Sequence, residues 1–111
     1  MSEIHLIATL RPAPGKEAQL REILRETTAH VTHVEKDCLS FLLTEMTDGN
    51  GRQSHRELTR HMSRWANAEA LVRHHQREWL KTMYQQFEAG ELLEGPEMIE
   101  SLLFVDGFVS R

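Results

Sequence analysis

The segment from His61 to His75 holds the residue types best suited to chemistry in this chain. Trp65 ends a predicted strand, Asn67 offers an N-cap for the next helix, and His74 and His75 lie two turns into that helix. An aromatic side chain at a strand end and imidazoles on the following helix often line a small-molecule pocket. The alternative is structural, with Trp65 as a core anchor and the histidines as surface or packing residues, because short motifs often match by chance.

The rest of the sequence offers few other chemical motifs. It has no Gly-rich phosphate loop, no nucleophile elbow, and no CxxC or HExxH. His30 and His33 have the i, i+3 spacing that can share a metal, but no third ligand lies near them in the sequence. We therefore interpret them as solvated helix residues, and we expect neither a metal nor a cofactor.

Composition and charge exclude several classes of protein. The 111 residues predict one domain, 1–111. The formal charge is −4 and no Lys/Arg-rich run is present, so binding to nucleic acid is not expected. No apolar run approaches the ~20 residues of a membrane span, and residues 1–3 do not open a signal peptide. The single Cys38 excludes an intrachain disulfide and fits a reducing compartment, so we expect a cytoplasmic protein.

The first half of the chain predicts a strand, a helix and a second strand. Residues 4–10 are mostly apolar on both faces, and Pro12 and Pro14 end this strand. A helix is predicted from Lys16 to about Val34, and a strand that is again apolar on both faces over 39–46. The apolar stripe of the helix recurs every three or four residues: Leu20, Ile23, Leu24, Thr27, Val31 and Val34.

The second half predicts a hairpin, a helix and a last strand. Residues 48–51 are dense in turn signals and lead into an antiparallel strand over 55–65, which places Thr59 and His61 on the face of Trp65. The following helix is predicted to start at Asn67 and to continue, with a kink, to Ala89. Gly90 is its predicted C-cap and 98–105 the last strand.

The order β-α-β-β-α-β is the α+β, ferredoxin-like arrangement, a four-stranded antiparallel sheet with the helices on one face. Two helices can cover only one face of such a sheet, yet three of its strands are predicted to be apolar on both faces. The uncovered face would exceed the few hundred Å² of apolar patch that monomers usually expose. We therefore expect a homodimer through the open face of the sheet, to which residues 106–111, including Phe108 and Val109, can contribute.

Three short segments resemble the antibiotic biosynthesis monooxygenase (ABM) superfamily. The family has the approximate patterns E-P-G-C-x-x-Y/F before the second strand and W-x-x-x-x-A-L-x-x-H from the third strand into the next helix. This chain differs at Lys36-Asp37, where the family has Pro-Gly, and at Ser63, where it often has an acidic residue. The matching segments are Pro14-Gly15-Lys16-Glu17, Glu35-Lys36-Asp37-Cys38-Leu39-Ser40-Phe41 and Trp65-Ala66-Asn67-Ala68-Glu69-Ala70-Leu71-Val72-Arg73-His74.

The resemblance implies a dimeric α+β barrel and a cofactor-independent monooxygenase that oxidises a small phenolic or quinol-type metabolite with dioxygen. The family's Trp and His correspond to Trp65 and His74. His74 is the expected base, because the ordinary imidazole pKa lies near neutrality, and Trp65 is expected to stack on the substrate ring. The expected substrate-binding residues are His61, Thr59 and His75.

Two other functions fit the same resemblance. One is a non-catalytic module that binds or senses a small ligand in the same pocket. The other is haem binding or degradation. The haem-degrading branch has an Asn on its first strand, whereas this chain has Ile7, Ala8 and Thr9 in that region. Haem chemistry is therefore the less favoured of the two.

Overall fold

Within the residues that a computed structural model describes (3–46, 58–103 and 105–107), the chain forms four strands and three helices. The strands are β1 (Ile4–Leu10), β2 (Cys38–Glu45), β3 (Thr59–Trp65) and β4 (Met98–Leu102). The helices are α1 (Glu17–Val34), α2 (Ala68–His75) and α3 (Glu78–Ala89). The predicted α+β, ferredoxin-like fold is confirmed.

The four strands form one antiparallel sheet in the order β2-β3-β1-β4. Ala8 in β1 pairs with His61 in β3 and with Ile99 in β4, and Leu43 in β2 pairs with His61. Residues directly opposite each other point to the same face. The register therefore places His61 in the middle of the face that the helices cover.

The main hydrophobic core lies between this face of the sheet, α1 and α3. Leu10, Leu20 and Leu92 have no exposed surface, and burying each such side chain contributes about 1.5–3 kcal/mol. The other buried members of this cluster are Leu24, Leu80, Met83 and Phe87. A second cluster, Val31, Trp65 and Ala70, joins the end of α1 to β3 and α2, and it lies beside the predicted site.

The helical stripe predicted for α1 is correct except at its end. Leu20, Leu24, Thr27 and Val31 are buried, whereas Val34 is 47% exposed. Val34 is the last residue of the helix, and the chain turns directly afterwards so that the side chain of Glu35 is buried instead. A carboxylate thus occupies the inward place that periodicity assigned to a valine.

The prediction of one kinked helix from Asn67 to Ala89 is wrong in its middle. Two separate helices, α2 and α3, meet at Gln76 and Arg77, and Arg77 has extended backbone angles (φ −68°, ψ 138°). Neither residue is a Gly or Pro, so no breaker marked this end in the sequence. The two predicted caps are confirmed, since Asn67 caps α2 and Gly90 ends α3.

Two strand boundaries differ from the predictions. A bulge between Cys38 and Ser40 interrupts the alternation of β2 and leaves Leu39 exposed, although it was predicted to share the face of Phe41. β4 ends at Leu102, short of the predicted 105. The predicted hairpin loop at 48–51, the strand start at 55–57, and Phe108 and Val109 lie outside the described residues.

The face of the sheet opposite the helices carries exposed apolar side chains. Ile7, Met62 and Leu42 lie side by side across β1, β3 and β2, and Leu42 is 57% exposed. Met98 and Leu102 extend this surface along β4 and are also exposed. Among the described residues, no helix is both long and apolar enough to cross a membrane.

Candidate functional site

A cleft lies between the sheet and the helices, next to Trp65. The cleft has an empty volume of about 530 Å³, including the part open to solvent. The centre of a water molecule can reach only about 30 Å³ of it. Pockets for small molecules usually have ~300–1,000 Å³, so an aromatic ligand must push parts of the wall apart. The polar lining residues are Thr27, Thr28, His61, Ser63, His74, His75, Tyr84 and Glu97, and apolar ones include Leu6, Phe41, Trp65, Leu71 and Ile99.

His74 is positioned by the short helix α2. The Asn67 side chain accepts a hydrogen bond from the Ala70 N–H at 2.9 Å, which satisfies one of the free amides at the start of the helix. Two turns later, the His74 side chain is 7% exposed, and its Nδ1 lies 2.7 Å from Oε2 of Glu35. Because a carboxylate can only accept, Nδ1 carries the hydrogen and donates it, which leaves Nε2 as the basic nitrogen.

Burial and Glu35 act on His74 in opposite directions. Burial disfavours the charged imidazolium and lowers the pKa of His74, while the hydrogen bond to Glu35 and its negative charge partly offset this effect. The net result is a pKa below the ordinary value, so His74 is neutral at pH 7 and can accept a proton. Nε of Arg77 lies 3.6 Å from the other Glu35 oxygen and balances the buried carboxylate as an ion pair.

Cys38 lies close to this pair but is not an activated thiol. Burial and the negative charge of Glu35 raise the pKa of Cys38 to about 11. Its Sγ donates to the Ser40 carbonyl at 3.3 Å. A thiol that stays protonated at neutral pH is a poor nucleophile, so the proton chemistry of this region rests on the imidazole.

Trp65 forms one wall of the cleft and is 1% exposed. Its ring centroid lies 4.6 Å from that of His74, at an interplanar angle of 42°. The indole N–H donates to Oγ of Ser63 at 2.9 Å. Ser63 stands where the family often has an acidic residue, and here its hydroxyl supplies the acceptor that fixes the indole.

A second imidazole–carboxylate pair faces the cleft from β3 and the start of β4. His61 stacks on Phe41, with ring centroids 5.2 Å apart, and its Nε2 lies 3.6 Å from Oε2 of Glu97. The Tyr84 hydroxyl donates to Oε1 of Glu97 at 2.6 Å. Burial alone raises the pKa of Glu97, but His61, Tyr84 and the charge of His75 together outweigh burial and hold this pKa below its usual range. Burial and Glu97 raise the pKa of Tyr84.

Four of the five residues predicted for the site meet at this cleft: Trp65, His74, His61 and His75. Thr59 shares the buried face of β3, but it lies at the other end of the strand and does not line the cleft. The residues that sequence reasoning missed are Glu35, Glu97, Tyr84 and Phe41. Glu35 and Phe41 did stand in a segment that matched the family pattern, and that was their only signal.

No grouping of three His, Cys, Asp or Glu side chains suited to a metal ion occurs in the described part of the chain. His30 and His33, whose i, i+3 spacing could share a metal, are exposed on α1. The ring of His30 stacks on Trp79, with centroids 5.1 Å apart. The chemical groups of the cleft are therefore two imidazole–carboxylate pairs beside an indole.

The protein is a ferredoxin-like domain whose apolar cleft holds an indole and a buried imidazole. Residues 3–86 match the sequence model of the family named antibiotic biosynthesis monooxygenase. This match covers more than half of the chain, so the protein belongs to the antibiotic biosynthesis monooxygenase family. None of the curated proteins compared with the chain matched it significantly.

Several solved structures are similar over nearly their whole length. Rv0793 from Mycobacterium tuberculosis is 28% identical, with a TM-score of 0.76 over 96% of this chain and 98% of that one. PA3566 from Pseudomonas aeruginosa is 27% identical, with a TM-score of 0.76 over 96% and 97%. A candidate antibiotic biosynthesis monooxygenase from Caulobacter crescentus CB15 is 24% identical, with a TM-score of 0.78 over 94% and 91%, which supports the fold alone.

Proposed function

We propose that the protein is a monooxygenase that acts on a small phenolic or quinol-type metabolite, with His74 as the general base. The observation that carries this proposal is the buried Glu35–His74 pair, with 2.7 Å between Oε2 and Nδ1, at an apolar cleft beside Trp65. Membership of a monooxygenase family supports the same reaction type. A base held neutral next to an aromatic wall suits a substrate that becomes reactive when its hydroxyl is deprotonated.

The reaction begins with proton transfer. Nε2 of His74 takes the hydroxyl proton of the substrate, and Glu35 stabilises the imidazolium that forms, as carboxylates do for catalytic imidazoles. The substrate anion is electron-rich and delivers electrons to dioxygen. A carbon–oxygen bond forms at the ring and the O–O bond breaks. The second oxygen atom leaves as water with two hydrogens, namely the proton that His74 returns and the hydrogen lost from the attacked ring carbon. For a hydroquinone the product is the hydroxylated quinone, and the substrate supplies all four electrons.

Trp65 and the apolar lining have a supporting role in this proposal. The indole is fixed by its hydrogen bond to Ser63 and offers an aromatic face on which a substrate ring can pack. The apolar walls exclude bulk water from the anion, which limits its reprotonation by solvent. His75 is exposed but lines the cleft, where it can interact with the substrate at the opening.

Oxygen uptake with a panel of hydroquinones and phenols tests the proposal. We expect stoichiometric consumption of one dioxygen per quinol, and a loss of ~10²–10⁴-fold in kcat for His74→Ala, as is typical of a removed general base. His33→Ala, which changes an exposed histidine of α1, is the matched control and should keep full activity. Binding of these compounds without any oxygen uptake would refute the oxygenase and leave a ligand-binding or sensing module.

We also propose that two copies of the chain associate through the open face of the sheet. The apolar residues Ile7, Leu42 and Met62 form a continuous row across three strands, and Leu42 and Met62 are well exposed. A sheet face of this kind is self-complementary under a two-fold axis. In this arrangement the cleft of each protomer lies on the opposite, helix-covered side of its sheet.

A further inference from the structure

The second imidazole–carboxylate pair of the cleft has no role in the reaction described above. Glu97 precedes β4, His61 lies on β3 and Tyr84 on α3, so three elements converge on one point of the wall. The side chains of Glu97 and His61 are only 10% and 16% exposed. A carboxylate in such surroundings is costly unless its oxygens find partners.

One oxygen of Glu97 has a partner and the other does not. Oε1 accepts the hydrogen bond from Tyr84. Oε2 of Glu97 is buried and has no hydrogen-bond partner among the described residues, and the same is true of Nδ1 of His61. The 3.6 Å between Oε2 of Glu97 and Nε2 of His61 exceeds hydrogen-bonding distance. The two groups therefore attract each other electrostatically without forming a hydrogen bond.

A ligand beside this contact meets a hydrogen-bond acceptor and a donor together. Oε2 of the carboxylate can only accept, while the imidazole N–H that points toward it donates. A hydroxyl group is the small polar group that can satisfy both, since it donates one hydrogen and accepts on its oxygen. An ether or a carbonyl oxygen lacks the hydrogen that Glu97 requires.

We propose that Glu97 and His61 form a hydroxyl-binding subsite of the cleft, in which Oε2 of Glu97 accepts a hydrogen bond from a ligand hydroxyl and Nε2 of His61 donates to the same oxygen. This inference rests on the proposed function and deepens it. The preferred ligand is then an aromatic ring with a second hydroxyl, in addition to the one that His74 deprotonates. Tyr84 acts as a positioning residue that holds the carboxylate.

Anaerobic calorimetric titration tests the subsite without turnover. The full-length protein should bind hydroquinone roughly 10–100-fold more tightly than 4-methoxyphenol, as expected for one hydrogen bond to a charged group. In Glu97→Gln the amide oxygen stays with the Tyr84 hydroxyl and the NH2 group, which cannot accept, faces the ligand, so this preference should fall to about twofold or less. Glu94→Gln, which removes an exposed carboxylate of the same charge nearby, should keep the wild-type preference.

A second variant covers a failure of Glu97→Gln to fold. His61→Phe preserves the aromatic packing against Phe41 and removes the donor, which serves a hydroxyl and an ether oxygen alike, so both ligands should bind about 2–10-fold more weakly. An unchanged preference in Glu97→Gln, unchanged affinities in His61→Phe, or no preference in the wild type overturns the inference. A wild-type preference that Glu97→Gln abolishes, without oxygen uptake in air, supports the subsite and refutes only the proposed oxygenase.

Discussion

At the scale of single residues, the protonation of His74 depends on a balance of two opposing effects. Burial favours the neutral imidazole, and the Glu35 carboxylate favours the charged one. Because burial dominates, His74 is ready to accept a proton, and because Glu35 is present, the resulting charge is stabilised. The same carboxylate selects the tautomer, since it binds the hydrogen on Nδ1.

Glu35→Gln removes the charge and keeps an acceptor for the Nδ1 hydrogen. Without the negative charge the pKa of His74 falls further, so the acid limb of the pH–rate profile should move to lower pH. The rate on the plateau should fall ~10-fold or more, because the imidazolium loses its counter-charge. Glu26→Gln, which removes an exposed carboxylate of α1, is the control. A pH–rate profile that does not move would contradict this role for Glu35.

The lowered pKa of His74 also predicts how stability depends on pH. In the unfolded chain this histidine titrates at about 6.5, and in the folded protein it binds its proton only at lower pH. The unfolded state therefore binds more protons as the pH falls below about 6.5, and folding is destabilised there. Urea unfolding at pH 7 and pH 5 should show this loss in the wild type and less of it in His74→Asn. Equal losses in both proteins would disprove the assignment.

At the scale of elements, the short helix α2 carries His74, the proposed base. It has eight residues, which is too short to be stable by itself. Its N-cap and the packing of Ala70 against Trp65 and Val31 hold it in place. Small movements of α2 would displace His74 relative to both Glu35 and the cleft.

Removing the N-cap should therefore affect stability and activity together. Asn67→Ala leaves the Ala70 N–H without its acceptor and should cost about 0.5–2 kcal/mol of unfolding free energy. Asn67→Asp keeps a capping oxygen and should stay close to the wild type. Urea denaturation gives the stability, and oxygen uptake gives kcat. The prediction fails if Asn67→Ala and Asn67→Asp unfold at the same urea concentration.

The sequence predicted the strands and helices better than it predicted the imidazole–carboxylate pairs of the site. Strand and helix periodicity is local, so β1, most of α1 and the cap at Asn67 were predictable from neighbouring residues. The partner of His74 is 39 residues away, and Glu35 replaced Val34 as the inward residue only because the chain turns at that point. Glu97 reaches His61 through the pairing of β4 with β1, which no local pattern encodes.

At the scale of the whole molecule, the two faces of the sheet differ in what covers them. The helix-covered face holds the core and the cleft. The open face exposes an apolar row, and β4 at the edge has every residue exposed. Burying that row against a second copy would remove these apolar side chains from water.

A charge in the middle of the open face should separate the two copies. Wild-type protein should sediment at micromolar concentration with twice the chain mass of 12.9 kDa. Met62→Lys places an unpaired ammonium on both sides of the two-fold interface and should weaken association roughly tenfold or more. Val72→Lys, at an exposed apolar position on α2, introduces the same charge away from the sheet and should remain dimeric. A wild-type monomer, or a Met62→Lys protein that associates as tightly as the wild type, would rule out this interface.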